Sequence, residues 1–255
     1  MGTLTVEWAY TPPDFFEEPR KVSDTAYTLE IKDGKATAAL PPDISDQEVK
    51  VLIGSIGERL WRLFVGRQLD SNKRFELSRS YSATRTRPDG TGDLSVFPEP
   101  AVAKTEAVNP DIVIRDAEGN VITDTRRDRN EACKKSEMLS MKHGEDTVAA
   151  SLLKSYNSAI NDPDNELTHL YEIRDALEKK FHGKKNACDT LAIHAEWNRL
   201  KRLANDEPLL GGRHQGGYVG RLRHATPSEL EEARQIAGQM IHAYLSYLER
   251  SSSTP

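Results

Sequence analysis

The chain contains only two cysteines, Cys133 and Cys188, in 255 residues. Two cysteines are too few for a disulfide framework or for a four-cysteine zinc site, and they are typical of a reducing compartment. No apolar run approaches the roughly 20 residues that span a bilayer, and the N-terminus lacks the basic-then-apolar order of a signal peptide. These absences predict a soluble, cytoplasmic protein without membrane contact.

Cofactor motifs are also missing from the sequence. No P-loop and no G-x-G-x-x-G fingerprint opens a helix after a strand. His194-Ala195-Glu196 matches the beginning of a zinc deaminase signature, but the Pro-Cys-x-x-Cys element that should follow it is absent. A formal net charge of −5 excludes a basic tail that coats nucleic acid. We therefore expect neither a cofactor nor a bound metal.

The first half of the chain, residues 1–125, has the pattern of a β-rich module. Alternating apolar residues from Tyr27 to Ile31 are followed by Asp33-Gly34, a pair that favours a type I′ turn into a second strand over Lys35–Leu40. A similar Asp-Gly pair separates two later extended runs, and residues 98–110 have the composition of a loop. Within this half, the spacing of apolar residues over 46–69 predicts one helix against the sheet.

The second half has the period of helices. Residues 148–160 carry apolar side chains four apart, and Asp162-Pro163 indicates the start of the next helix. Thr226-Pro227-Ser228-Glu229 is a capping box that opens the last helix. The expected fold is therefore α+β, with a β-rich module followed by an antiparallel bundle of four or five helices. The predicted organisation is a module over 1–125, a connecting segment over 126–143, a helical bundle over 144–250 and a disordered tail over 251–255.

The most unusual stretch of the sequence lies before the last helix. Residues 203–225 contain five glycines and no obvious helix or strand, and loops of this length are usually functional or mobile. From Arg199 to His224 there are six lysines or arginines but two acidic residues. Glycines allow backbone N–H groups close to a ligand, and arginine forks match phosphate oxygens. The residues predicted to contact RNA or another phosphate ligand are Arg199, Arg202, Arg221, Arg223 and His224.

Several of these segments together resemble a known family. They are the helical run from Asn165 to Phe181, the stretch from Trp197 to Asp206, the Gly212-Arg213-His214 turn and the capped final helix. Together, over about residues 145–250, they resemble the C-terminal helical domain of uncharacterised bacterial proteins related to the HEPN superfamily. The resemblance implies a role in bacterial defence or toxin–antitoxin systems, and a homodimer formed through the helical bundle.

The resemblance also implies a chemistry. In HEPN ribonucleases a histidine handles the 2′-hydroxyl or leaving-group proton and an arginine stabilises the pentacovalent phosphate, without a metal. The residues placed in this role are Asn205, Arg213 and His214, although Asn205 equally suits a helix C-cap. The family motif has four to six residues between arginine and histidine, whereas eleven separate Arg202 from His214. The alternative is therefore a non-catalytic module for protein–protein interaction or dimerisation.

Overall fold

The computed structural model describes residues 3–86, 91–97, 113–115, 120–213 and 222–252, together with positions 111 and 118. It confirms an α+β protein in which an N-terminal antiparallel sheet precedes a helical region. The chain divides into two compact units, Met1–Trp61 with Phe75–Ile112, and Arg62–Arg74 with Val113–Pro255. This division differs from the boundary predicted at residue 125, because 62–74 and 113–125 belong to the second unit.

The first unit contains a six-stranded antiparallel sheet with the strand order β2-β3-β4-β1-β5-β6. Its strands are β1 (Thr3–Thr11), β2 (Arg20–Ser23), β3 (Thr28–Lys32), β4 (Lys35–Leu40), β5 (Glu76–Thr86) and β6 (Gly92–Phe97). Helix α1 (Asp46–Ser71) confirms the helix predicted over 46–69, and its residues up to Trp61 belong to this unit.

Strands β3 and β4 form the hairpin that the Asp33-Gly34 pair predicts. The φ angles of Asp33 and Gly34 are 49° and 81°, and both are positive, as a type I′ turn requires. Strands β5 and β6 also pair as predicted. The Asp89-Gly90 pair between them and the predicted loop over 98–110 lie outside the described residues.

One face of the sheet is buried against α1. The buried residues of β1 are Leu4, Val6, Trp8 and Tyr10, which alternate with more exposed neighbours. This alternation follows from the two-residue period of a strand. Val49 and Ile53 of α1 line the same cavity as Leu4 of β1, which places α1 on the buried face.

The second unit is mostly helical. It contains a short hairpin of β7 (Val113–Arg115) and β8 (Val121–Asp124), and then the remaining helices. These are α2 (Thr125–His143), α3 (Thr147–Asn161), α4 (Glu166–Lys180), α5 (Lys184–Leu191), α6 (His194–Lys201) and α7 (Pro227–Ser252), with a π-helical segment over Arg202–Asp206. None of the helices in the described part of the chain combines the length and apolar character needed to traverse a bilayer.

Helix α7 lies at the centre of the second unit. It packs against α2, α3, α4, α5 and α6, and its buried residues include Ala233, Ile236, Ala237, Met240, Ile241, Tyr244 and Leu245. The predicted capping box is confirmed, since the Thr226 N–H donates to Glu229 Oε2 at 2.8 Å and the Glu229 N–H donates to Thr226 Oγ1 at 3.3 Å.

Three predicted features of this region differ in the structure. The segment 126–143, predicted as a connection, is helix α2, whose first turn is capped by Asp124. Helix α4 begins at Glu166 and not at Asp162-Pro163, because the Asp162 N–H bonds back to the Ser158 carbonyl at 2.8 Å and so ends α3. Ser251 and Ser252, predicted in a disordered tail, are the last residues of α7.

Candidate functional site

The structure describes most of the predicted phosphate-contacting residues, and it shows that their charges are compensated. Arg199 of α6 forms two hydrogen bonds with Glu232 of α7, at 2.5 and 2.7 Å. Arg202 donates to Glu207 at 3.0 Å. The two-bond pair of Arg199 uses the fork that would otherwise hold phosphate. Arg202 donates only its Nε–H, and its side chain is 63% exposed. Arg199 is therefore not an open anion site.

Arg223 and His224 lie just before α7. The Arg223 guanidinium forms two hydrogen bonds with Glu229, at 2.8 and 2.6 Å. His224 is exposed, and its carbonyl accepts a hydrogen bond from Arg223 at 3.2 Å. Two other predicted site residues, Arg221 and His214, lie outside the described residues.

The carboxyl of Glu229 is strongly affected by this arrangement. Its pKa falls from 4.5 to about 2, first because Arg223 donates to it and then because the Thr226 backbone N–H does. The capping box and the ion pair therefore share one carboxylate, which fixes the end of the loop to the start of α7.

This arrangement predicts a pH-dependent contribution to stability. A carboxyl whose pKa is lower in the folded state stabilises the fold above its unfolded pKa and loses that contribution as pH falls. We expect Glu229→Gln to reduce the free energy of unfolding near neutral pH. The difference between wild type and variant should shrink as pH falls from 4.5 towards 2. Urea unfolding of both proteins across this range measures it, and a difference independent of pH would contradict the assignment.

The backbone at both described ends of the loop is also fixed. The Leu210 N–H donates to the Arg223 carbonyl at 2.8 Å, and the Arg223 N–H donates to the Pro208 carbonyl at 2.9 Å. Gly211 has a φ of +83°, and a Cβ there would lie 2.7 Å from the carbonyl oxygen of Asp164. Glycine is therefore required at this close approach to the start of α4.

Arg213 leads to a second group of side chains, on α4 and α6. Its guanidinium pairs with Asp175 and lies 4.8 Å from the ring centroid of Tyr171. Arg174 lies at the same distance from the Tyr171 ring and also 4.8 Å from the ring of Trp197. We call Tyr171, Arg174, Trp197 and Arg213 the Arg–aromatic cluster.

Arg174 is the unusual member of the Arg–aromatic cluster. It is only 6% exposed, and it donates one hydrogen bond, to the Tyr171 hydroxyl. Within the described residues, no carboxylate forms an ion pair with it, and its buried Nε–H has no acceptor. The Nε1–H of the fully buried Trp197 also lacks one. Buried charges are normally paired, because desolvating an unpaired charge is costly. The Nε–H of Arg174 and the Nε1–H of Trp197 are therefore two neighbouring donors that a hydrogen-bond acceptor would satisfy.

Asn205 lies in the π-helical segment that follows α6. Its amide donates to Asp206 at 2.9 Å, and its buried Oδ1 has no hydrogen-bond partner among the described residues. The neighbouring Ala204 carbonyl accepts the N–H of Arg213 at 2.9 Å. Single π-helical turns inside helices are frequent at functional sites. The structure thus places Asn205 next in the chain to the residue that binds the Arg213 backbone, and it adds Arg174, which is not among the predicted site residues.

Comparisons with protein-family models, curated proteins and solved structures found no match to this chain. In the described part of the chain, no three His, Cys, Asp or Glu side chains are grouped so that they could hold a metal ion. The Arg–aromatic cluster and Asn205 offer guanidinium, phenol, indole and amide groups, which donate hydrogen bonds to anions and other acceptors.

Proposed function

We propose that the helical unit contacts RNA, or another phosphate-bearing ligand, at the Arg–aromatic cluster and Asn205. The observation that carries this proposal is Arg174, a buried guanidinium group without a carboxylate partner in the described residues. In this proposal the helices form the antiparallel bundle of a HEPN-like protein, acting in a bacterial defence or toxin–antitoxin system in the cytoplasm.

The geometry supports phosphate better than a neutral ligand. A phosphate oxygen can accept from the Nε–H of Arg174, which has no acceptor among the described residues. Arg213 contacts the same Tyr171 ring and has a side chain that is 41% exposed, so it lies closer to solvent than Arg174. Arg213 is paired with Asp175, so a phosphate that enters from the surface would have to replace that carboxylate on its way to Arg174.

Catalysis is the further step of this proposal. His214 follows Arg213 directly in the sequence, which keeps it within one residue of the cluster. A histidine there would transfer the proton of the 2′-hydroxyl or the leaving group, while arginine stabilises the charge on phosphorus. This is metal-independent RNA cleavage, and it requires both residues.

We expect Arg174→Gln to weaken binding of labelled tRNA by about tenfold, because a charge-assisted hydrogen bond is lost. Arg174→Lys should bind with intermediate affinity, since it keeps the charge but loses the fork. Arg127→Gln removes one exposed charge from the same unit and serves as the control. Titration at several salt concentrations measures the affinities, because phosphate contacts weaken with salt. A folded Arg174→Gln variant that binds like wild type would overturn the assignment.

The same RNA, incubated in EDTA, tests the catalytic step. Wild type should shorten the RNA, whereas Arg213→Ala and His214→Ala should leave it intact. Circular dichroism of each variant shows that it is folded. Binding without cleavage by wild type would limit the function to RNA binding.

A second candidate function is a non-catalytic dimerisation or partner-binding module. The observation that favours it is the pairing of Arg199, Arg202 and Arg223 with carboxylates, which neutralises much of the predicted cationic surface. In that case wild type binds no RNA, and sedimentation shows a homodimer at the same concentrations.

A further inference from the structure

The first unit contains a cavity of about 460 Å³ between helix α1 and strand β5. The function proposed above does not involve this cavity. Its apolar lining comes from Leu4 of β1, Val49 and Ile53 of α1, and Ala83 of β5. Pockets for small ligands have volumes of roughly 300–1,000 Å³ and are mostly apolar with a few polar groups. The size and the lining are therefore those of a small-molecule site.

The register of the sheet explains why space remains here. Val6 lies opposite both Ala38 of β4 and Ala83 of β5, and Ala83 lies opposite Ser95 of β6. On the β5–β6 side of the sheet, Ala83 and Ser95 are small, whereas Tyr81 and Arg85 beside them on β5 are large. The cavity lies where Val49 and Ile53 of α1 face these small residues, between the larger Tyr81 and Arg85.

The charges at the cavity favour an anion. Arg85 lies directly opposite Asp93 in the register, so one positive and one negative charge face each other. Arg85 also donates to the Ile44 carbonyl at 3.3 Å, which ties it to the segment before α1. Lys50 lines the same cavity, is exposed, and forms no ion pair with any described residue. Lys50 is therefore the cation left for a ligand.

We propose that this cavity binds a small amphipathic carboxylate, with its apolar body against Leu4, Val49, Ile53 and Ala83 and its carboxylate at Lys50. Burial of the apolar body supplies most of the affinity, since apolar area removed from water is worth about 25 cal/mol per Å². The exposed ion pair with Lys50 adds less and sets the preference for an anion.

Decanoate is the probe that tests this site, and decyltrimethylammonium is its control with the same chain and the opposite charge. Both are titrated, below their micelle concentrations, into the full-length ¹⁵N-labelled protein. Decanoate should produce saturable chemical-shift changes confined to β1, α1, β5 and β6. Decyltrimethylammonium should bind at least about fivefold more weakly, the effect expected of one exposed charge.

Two variants and a matched control locate the site. Lys50→Gln should weaken decanoate binding by about fivefold, because it removes only the exposed ion pair. Ala83→Leu fills part of the apolar lining and should weaken binding by at least about tenfold. Lys21→Gln changes an exposed lysine on β2 that does not line the cavity, and it should bind like wild type. The absence of saturable binding, shifts centred elsewhere, or equal affinity for both probes would overturn the proposal.

Discussion

Glu166→Gln should lower the free energy of unfolding by about 3 kcal/mol, because it removes the buried carboxylate of an ion pair and leaves Arg234 only the longer contact with Glu231, at 3.9 Å. The Glu166 side chain is 1% exposed and accepts two hydrogen bonds from Arg234 of α7, at 2.6 and 2.8 Å. The pair joins the first turn of α4 to α7, and Glu166 raises the pKa of Arg234 further above its ordinary value. Urea unfolding followed by circular dichroism measures the loss.

Glu232→Gln is the matched control for this prediction. It breaks the pair between Glu232 and Arg199, which has the same two-bond geometry, but these side chains are 37% and 41% exposed. Exposed pairs contribute about 1 kcal/mol or less, so the control should change stability little. Equal losses in the two variants would contradict the view that burial decides the contribution of the pair.

The parts of the fold that the sequence predicts well depend on residues close together in the chain. Asp33-Gly34 specifies a two-residue turn, and Thr226 with Glu229 specifies the start of α7, because each signal lies within four residues. The helix over 46–69 was predicted from its apolar spacing in the same way. Each of these patterns determines local structure directly, and the structure confirms the turn, the helix start and the helix that they predict.

Helix α2 was not predicted because its inner face is polar. Its buried residues include Asn130, Ser136, Glu137, Ser140 and His143. The spacing of apolar residues therefore gives little indication of such a helix. The buried Glu137 is paired with Arg67 of α1, at 3.4 Å, and that partner is 70 residues away in the sequence. Long-range polar contacts of this kind become visible only in the folded chain.

The ion pairs of the candidate site also depend on residues that are distant in the sequence. Counting charges from Arg199 to His224 suggested a cationic surface, but Glu229 and Glu232 of α7 and Asp175 of α4 supply the compensating carboxylates. Arg174, by contrast, carried a readable signal. It stands four residues after Leu170 and three before Leu177, on the apolar stripe of α4, where a charged residue is rarely buried without a reason.

Gly66→Ala should destabilise the protein by about 3 kcal/mol, because α1 and α2 touch at this position without room for a methyl group. A Cβ on Gly66 would lie 2.8 Å from the Ser136 carbonyl oxygen and 2.9 Å from the Cα of Glu137. Both obstacles are backbone atoms, so a side-chain rotation cannot relieve the overlap. The two helices would have to move apart, and the buried pair of Arg67 with Glu137 would lengthen as a result.

Gly54→Ala, in the same helix, should have the opposite effect. A Cβ there meets nothing within 4 Å, so the change gains helix propensity of up to about 1 kcal/mol without a steric cost. Urea unfolding of the two variants and of wild type measures the expected loss of stability in one variant and the expected gain in the other. If Gly66→Ala were as stable as Gly54→Ala, the close contact between α1 and α2 would not exist in solution. The polar inner face of α2 would then need another partner, since it is the approach of α1 at Gly66 that brings Arg67 to Glu137.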